Sequence, residues 1–421
     1  MEFAIRTCGR TDTIENHTIA LIKDLGIPIT IFCPKNEMYI FRKKFKHLNI
    51  KIKLGSNIGI NDVNKKIQNH YNIGTKVVIF DDDVIEFKEL KDDKLVSGDL
   101  LSYCERGFDL CKENNFKLFG FYPVEKAYFM KGSDITKGLS FVMGGIFGVI
   151  NDRTITTELI AEDYERCVKN YEKYGGLIRF NKACFKNLIR TNTGGNTQTT
   201  ANYDKQKEKA EEILKLYPSY FRLKKCKSKY PEVQLIPHKY CLKYHLLSNF
   251  RIMCWANNTE RPNVSGYVEN EKKKGKPCFS YTVGYIKMRG SKADNLDLTC
   301  KSKNIKFIYD LMKKYIHSID PDFRYTAITL NKNIVCEPHT DKFNKSPSLI
   351  VALGEYTGGN LFIKKDEVVV KHNIKDKPLI FNGKDLHWND KCEGERFSMV
   401  FYCACSPPSV DKYWVKMEDH N

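Results

Sequence analysis

The sequence predicts two architectures in one chain: an α/β N-terminal half on a mostly parallel sheet, and a β-rich C-terminal half closing as a jelly-roll barrel. Three observations predict this. Up to about residue 200, short β-branched runs alternate with helical periods. A basic stretch closed by Pro231 interrupts that rhythm, and short, evenly spaced strands then recur as far as Cys403. At 421 residues the chain is long enough for two or three domains with adequate cores.

Along the N-terminal half, residues 3–5 form a short apolar strand and residues 14–25 have a helical period. Residues 29–32 are a second strand, opened by Pro28; residues 51–54 read as a third and 61–71 as a helix. Residues 76–80 are a β-branched buried strand running straight into Asp81-Asp82-Asp83. In sheets of this kind, sites lie at the carboxyl ends of strands, where both Arg6-Thr7 and the aspartates fall. Residues 191–202, rich in Thr, Asn and Gly, read as a loop, followed by a charged helix over 204–216. The basic stretch 222–229 marks the boundary, giving domains 1–220 and 239–421 around a linker, 221–238. Beyond it, Phe279–Ile286 is a strand, 304–317 an amphipathic helix and 325–330 a strand. Further strands are expected at 349–353, 360–363, 368–370, 379–381 and 397–403.

Composition narrows the class. Hydrophobic residues are 42% and aromatics 12%, so the chain folds rather than staying disordered. A net charge of +18 favours a polyanionic partner such as nucleic acid, although a generally lysine-rich proteome gives the same charge. Fifteen cysteines, odd in number and irregular in spacing, without a CxxC pair, read as buried free thiols in a reducing compartment. No basic n-region precedes an apolar h-region, and no apolar run reaches the roughly 18 residues that span a bilayer. The expectation is a soluble intracellular protein, in cytoplasm, nucleus or viral factory, with no membrane partner.

The chemistry is concentrated near the C-terminus, in His339-Thr340-Asp341, His387 and Arg396-Phe397-Ser398. Two residues separated by one on a strand point the same way, so His339 and Asp341 can reach one ion. His387 follows 46 residues after Asp341, enough chain for several strands to return it to the same end. Two imidazoles and a carboxylate form the facial set that holds Fe(II) and leaves positions open for O2 and a co-substrate. Arg396, nine residues after His387, offers a cationic fork for the distal carboxylate of 2-oxoglutarate, with the Ser398 hydroxyl beside it. A lone HxD pair is common; four residues in order with the Arg-x-Ser tail are specific. His317 and His372 lack such context and read as surface residues.

At the N-terminal end, three adjacent carboxylates after a buried strand repel one another unless a cation sits among them. Mg2+ or Mn2+ there would bridge a diphosphate leaving group; an exposed acidic turn is the alternative. Arg6-Thr7-Cys8-Gly9-Arg10 supplies small and cationic residues suited to a nucleotide, and Gly144-Gly145 with Gly148 would let backbone approach a sugar. Glu162-Asp163 opens a helix, where acidic residues are also favoured for capping alone.

The run from His339 through Ser348-Leu349-Ile350-Val351-Ala352-Leu353-Gly354-Glu355-Tyr356-Thr357-Gly358-Gly359-Asn360-Leu361, with 379–383 and 394–398, resembles the TET/JBP family of Fe(II)/2-oxoglutarate dioxygenases over about residues 240–405. That resemblance implies a double-stranded β-helix fold and oxidation of the 5-methyl group of thymine or 5-methylcytosine in double- or single-stranded DNA. It implies His339, Asp341 and His387 as iron ligands, Arg396 and Ser398 on 2-oxoglutarate, and Asn331 or Asn333 near the co-substrate or base. A base must leave the stack to be oxidised, which calls for phosphate-binding lysines such as Lys272, Lys273, Lys274, Lys342 and Lys345. For any one of these lysines, a solvated basic surface is the simpler explanation.

The order strand–Arg-Thr, strand–Asp-Asp-Asp, Gly-Gly, Glu-Asp over residues 1–200 resembles a GT-A glycosyltransferase, of the kind associated with TET/JBP oxygenases in phages and viruses. It implies a nucleotide-sugar donor such as UDP-glucose, with Arg6, Thr7 and Asp81 on the cofactor and Asp83 as ligand of Mg2+ or Mn2+. Asp163 or Glu162 would be the general base; His238 is a possible further ligand, past the predicted domain boundary. Together the two halves imply hydroxylation of a pyrimidine methyl followed by glycosylation of the new hydroxyl. A collagen-type lysyl hydroxylase–glycosyltransferase pairs the same chemistries on protein. A dioxygenase with a non-catalytic, nucleic-acid-binding N-terminal domain is the third possibility.

Overall fold

A computed structural model gives the fold and describes all residues except 154–156, 160, 189–202, 225–231, 256–263, 267–278, 288–295, 342–343 and 406–421. The chain divides into two compact units, Met1–Cys241 and Leu242–Asn421. The loop expected at 191–202 and four of the five lysines named above, Lys272, Lys273, Lys274 and Lys342, lie outside the described residues.

The first unit is mixed α/β. Its elements run β1 (Glu2–Arg6), α1 (Thr18–Ile22), β2 (Ile29–Cys33), α2 (Met38–Lys44), β3 (Ile50–Leu54), α3 (Ile60–His70), β4 (Lys76–Asp81), β5 (Val84–Lys91) and β6 (Lys94–Ser97). Then come α4 (Leu100–Asn114), β7 (Leu118–Tyr122), β8 (Ile135–Thr136), β9 (Ile146–Ile150), α5 (Glu162–Tyr174) and β10 (Ile178–Asn187). One large sheet takes the order β3-β2-β1-β4-β9-β7-β10-β5-β6, with β8 beside β10. β3, β2, β1 and β4 run parallel, which sets Arg6 level with both Phe32 and Asp81. The core is phenylalanine-rich: Phe3 meets Phe80 edge-on at 5.1 Å, and Phe119, Phe121 and Phe180 stack around β7 and β10.

The predicted helix over 14–25 is instead a 3-10 turn, Ile14–Asn16, and the short α1. His17 between them departs from helical geometry. The Thr18 hydroxyl binds the Asp81 carbonyl at 2.6 Å and accepts from the Val84 N–H at 3.1 Å, so side-chain bonding to the aspartate turn competes with a continuous helix. The segment expected as a linker, 221–238, carries two paired strands, β11 (Phe221–Leu223) and β12 (Val233–Leu235), and lies in the first unit. Phe221 is buried and meets the Tyr164 ring edge-on at 5.4 Å, so apolar burial holds this segment to the unit.

The second unit is antiparallel sheet covered by helices. Its strands are β13 (Val264–Gly266), β14 (Phe279–Ile286), β15 (Asp297–Leu298), β16 (Ala327–Lys332), β17 (Ile334–Cys336), β18 (Ser348–Leu353) and β19 (Tyr356–Gly358). β20 (Leu361–Lys365), β21 (Val368–His372), β22 (Leu379–Phe381), β23 (Leu386–Asn389), β24 (Cys392–Gly394) and β25 (Phe397–Tyr402) follow. The main sheet has the order β15-β14-β16-β25-β18-β22; β21-β20-β23, β19-β24 and β13-β17 are smaller sheets. Period-two alternation gives the main sheet two faces. Ile328, Leu330, Leu349, Val351, Phe397, Met399 and Phe401 pack under helices Leu242–Ile252 and Lys306–Ile319. Ile350 and Ala352 face the other way, onto Tyr356, Leu361, Ile374 and Phe381. The Arg-x-Ser tail belongs to that second, inner face. Among the described residues the cysteines are free, and no helix is long and apolar enough to cross a membrane.

Candidate functional site

In the second unit, His339, Asp341 and His387 come together: one potential ligand atom from each lies within 4.8 Å of the others, and no other such trio occurs among the described residues. A reciprocal backbone pair makes this possible, since His339 and His387 each donate N–H to the other's carbonyl at 3.0 Å. The Asp341 N–H donates to Gly383 O at 2.7 Å, tying the third residue to the loop before β23. A Cβ at Gly383 would come within 3.2 Å of the Asp341 carboxylate, so glycine leaves room for it.

The imidazoles are presented in one tautomer. Nδ1 of His339 lies 2.7 Å from the Glu337 carbonyl, and Nδ1 of His387 lies 2.8 Å from the Asp385 carbonyl. A carbonyl only accepts, so Nδ1 carries the proton and Nε2 keeps a lone pair for a metal. Those Nε2 atoms lie 3.9 and 3.8 Å from the two oxygens of Asp341, the span of groups that share an ion rather than bond each other. Burial lowers the His387 pKa, as does His339, against the raising effect of the Asp385 carbonyl; the ring stays neutral, as a ligand must. The Asn344 amide donates to Asp341 Oδ2 and to the Ser348 hydroxyl, both at 3.0 Å, which fixes the carboxylate's rotation.

Arg396, Ser398 and Asn331 also come together. Ser280, Asn331, Ser398 and Ala352 stand level across β14, β16, β25 and β18, and the first three make a polar row on the inner face. The Ser280 hydroxyl donates to Asn331 Oδ1 at 2.9 Å, and Arg396 reaches the Ser398 hydroxyl at 3.4 Å. Arg396 is 2% exposed and pairs with no carboxylate among the described residues; its Nε is buried without a partner. A buried guanidinium without a counter-ion is costly, so this face is built for an anion. Gly359, in the left-handed region at φ 64°, opens the space, for a Cβ there would stand 2.7 Å from Arg396 Cδ. Asn333 turns out to be a backbone clamp on Arg396, accepting from its N–H at 2.7 Å. Three contributors went unassigned in the sequence: Asn344, Gly383 and Tyr356. Tyr356 and Gly383 carried a signal, through their places in the Gly354-to-Leu361 and 379–383 segments; Asn344 carried none.

In the first unit, Asp82 and Asp83 form the turn between β4 and β5 and are buried, not exposed. The carboxylates meet arginine forks rather than one another. Arg6 Nε donates to Asp81 at 2.8 Å, and Arg10 Nη1 donates to Asp82 at 2.5 Å and Asp83 at 3.0 Å. Arg6 further reaches Asn64, Glu162 and the Gly144 carbonyl, so the residue expected on a nucleotide organises the strand end instead. Thr7 is buried at the same strand end. Burial pushes Asp81 up to about 7, with Asp82 and Asp83 adding to it and Arg6 opposing. Asp83 keeps one oxygen, Oδ1, buried and without a partner, which leaves a bare acceptor suited to a cation.

Glu162 and Asp163 differ. Glu162 accepts from Arg6 at 3.3 Å and from Arg166, and both guanidinium groups lie over the Phe147 ring, at 5.3 and 3.7 Å. Burial alone would raise Glu162, but Arg166 and Arg6 outweigh it and hold it below the ordinary carboxylate range. Asp163 is raised, by burial and then by Glu162, so it is the better proton acceptor of the two. The glycines serve packing: Gly144 makes room for Arg6 and Glu162, Gly145 for Phe185 and Gly148 for Phe119. His238 stacks against Tyr171 and Tyr220 and pairs its backbone with Leu139.

No family model matches the chain, and no curated protein matches its sequence. The solved structures to which the chain is weakly similar include two enzymes. NgTET1 in complex with 5mC DNA gives a TM-score of 0.25 at 16% identity, over 31% of this chain and 62% of its own. The mannosyltransferase PcManGT from Pyrobaculum calidifontis, in complex with GDP-Man and Mn2+, gives 0.31 at 11% identity, over 42% and 53%. The chain thus spans less than two-thirds of either protein.

Proposed function

We propose that the second unit is an Fe(II)- and 2-oxoglutarate-dependent dioxygenase on a jelly-roll scaffold, acting on the 5-methyl group of a pyrimidine in DNA. The first unit, on this reading, is a GT-A-like transferase that places a sugar on the resulting hydroxyl. One observation carries most weight: a buried arginine without a counter-carboxylate among the described residues shares the inner sheet face with a His-Asp-His trio. From Ser348, which contacts the trio through Asn344, to Ala352, which stands beside Ser398, β18 runs about 13 Å. Side chains from both ends and a five-carbon dicarboxylate fill such a span. Fe(II) held by His339, Asp341 and His387 would supply O2 chemistry in which one oxygen atom goes into the C–H bond and the other into succinate as 2-oxoglutarate loses CO2.

The chain's own groups have separate tasks. His339 and His387 present their Nε2 atoms, Asp341 would offset part of the metal's charge, and Asn344 holds that carboxylate in place. Arg396 and Ser398 hold the distal carboxylate, while Ile350 and Val400, cross-strand partners on the same face, keep water from the span between. In the first unit, Asp83 is the favoured ligand for Mg2+ or Mn2+, which would offset charge on a departing nucleoside diphosphate. Asp163 takes the proton of the acceptor hydroxyl. The excess of 18 positive charges and the Gly354–Leu361 motif favour DNA over protein as substrate.

Incubation with Fe(II), 2-oxoglutarate and methylated or unmodified DNA, followed by nucleoside mass spectrometry, tests this. A hydroxymethyl pyrimidine is expected, and a sugar-bearing one once UDP-glucose or another nucleotide-sugar is added. Succinate release with a lysine peptide but never with DNA would overturn the DNA reading. A sugar product that persists in Asp83→Ala would remove the proposed metal ligand.

A further inference from the structure

We infer that Tyr356 is a second binding residue of the Arg396 pocket, and that its hydroxyl makes the pocket selective for a dicarboxylic 2-oxo acid. The inference rests on the dioxygenase reading of this unit. Tyr356 opens β19 and is 6% exposed, and its buried hydroxyl lies against the Arg396 side chain, which can donate to it but cannot accept its proton. The Arg396 guanidinium carbon stands 5.8 Å from the centre of its ring. Two donors of adjacent side chains, the phenol O–H and Arg396 Nε–H, are therefore buried in the same place with no acceptor among the described residues.

A buried hydroxyl proton beside a buried cation, with no acceptor for either, is unfavourable unless a ligand completes it. The missing partner has to accept from both and carry negative charge, which describes a carboxylate. Nearby acids do not supply it. Asp376 pairs with Lys243 at 2.8 Å, and Glu355 lies 3.7 Å from Lys375. Nor is the ring free to turn away. Lys375 sits 5.2 Å from its centre, with its ammonium 3.1 Å from the Tyr356 carbonyl, and backbone pairing with Gly394 fixes the strand. Burial raises the phenol's pKa more than Arg396 lowers it, so the hydroxyl keeps its proton and donates.

The test is Tyr356→Phe in the full chain, read by calorimetric binding of 2-oxoglutarate and of its inert analogue N-oxalylglycine under anaerobic conditions. Pyruvate, which lacks the distal carboxylate, is the comparison. Affinity for both dicarboxylates is expected to fall about tenfold or more, with pyruvate unchanged. Because the lost hydroxyl donates to nothing among the described residues and loses only its contact with Arg396, the ligand-free melting temperature of Tyr356→Phe should stay close to that of the unaltered chain. Its shift on adding N-oxalylglycine should shrink. Unchanged dicarboxylate affinity, alongside loss of binding in Arg396→Ala, would overturn the role of Tyr356 while leaving the dioxygenase reading intact. Failure of the unaltered chain to bind 2-oxoglutarate would instead remove the dioxygenase reading itself.

Discussion

Asn333 and Arg396 hold each other through a closed pair of hydrogen bonds: the Arg396 N–H donates to Asn333 Oδ1 at 2.7 Å, and the Asn333 N–H donates to the Arg396 carbonyl at 2.9 Å. Asn333 does so from the left-handed region, at φ 49°, where asparagine and glycine are tolerated best. The clamp aims the Arg396 side chain at the inner face. Asn333→Gly keeps the backbone geometry and deletes the acceptor, so a loss of about 1–3 kcal/mol in urea unfolding is expected. Steady-state kinetics should show the KM for 2-oxoglutarate rising more than kcat falls.

Gly359→Ala should be worse for the pocket than its size suggests. The new methyl would stand 2.7 Å from Arg396 Cδ, and the residue's φ of 64° is strained for alanine. A destabilisation of about 1–3 kcal/mol by calorimetry is expected, with weakened N-oxalylglycine binding. Unaltered binding would mean that Arg396 does not need this space.

At the metal centre, His339→Ala should abolish stoichiometric Fe(II) binding, measured by metal analysis after gel filtration. Asn344→Ala leaves all three ligands but frees the Asp341 carboxylate, and should weaken metal affinity about 10- to 100-fold. Equal affinity in Asn344→Ala would show that the backbone alone orients Asp341.

Glu162→Gln tests the arginine network of the first unit. The carboxylate is buried between Arg6 and Arg166, and removing its charge should cost about 3–5 kcal/mol in chemical unfolding. The pH dependence has a definite sign. The folded pKa lies below the ordinary 4.5, so ionisation favours the folded state. That stabilisation is complete above about pH 4.5 and is lost as pH falls through the lower, folded value. Acid unfolding of Glu162→Gln should therefore lack this part of the pH dependence. Matching acid titrations would assign the network no role in stability.

Much of the fold was legible where local pattern and tertiary packing agree. The continuous apolar run ending at Phe80 could only be a buried strand, and the helix over 61–71 lies within one residue of α3 at each end. The alternation in Phe397–Tyr402 likewise announced a strand with two unlike faces. The pattern failed at 14–25, where apolar periodicity suited a helix but the Thr18 side chain bonded the aspartate turn. It failed again at 221–238, where charge suggested a linker and Phe221 found a buried place.

For the candidate sites, the sequence by itself determined which groups exist and in what order: two imidazoles and a carboxylate, then an arginine and a serine two residues apart. Those are properties of residue type and spacing, which period-two geometry converts into shared faces. Only the tertiary structure decided which charges are already satisfied. Asp81, Asp82, Asp83 and Glu162 looked open in the sequence, yet each meets an arginine from a distant segment. Arg396 was legible as an anion fork from its spacing, but only the structure shows it buried beside Tyr356 with no counter-carboxylate among the described residues. Satisfaction of a buried charge depends on contacts between residues far apart in the chain, and no local pattern encodes them.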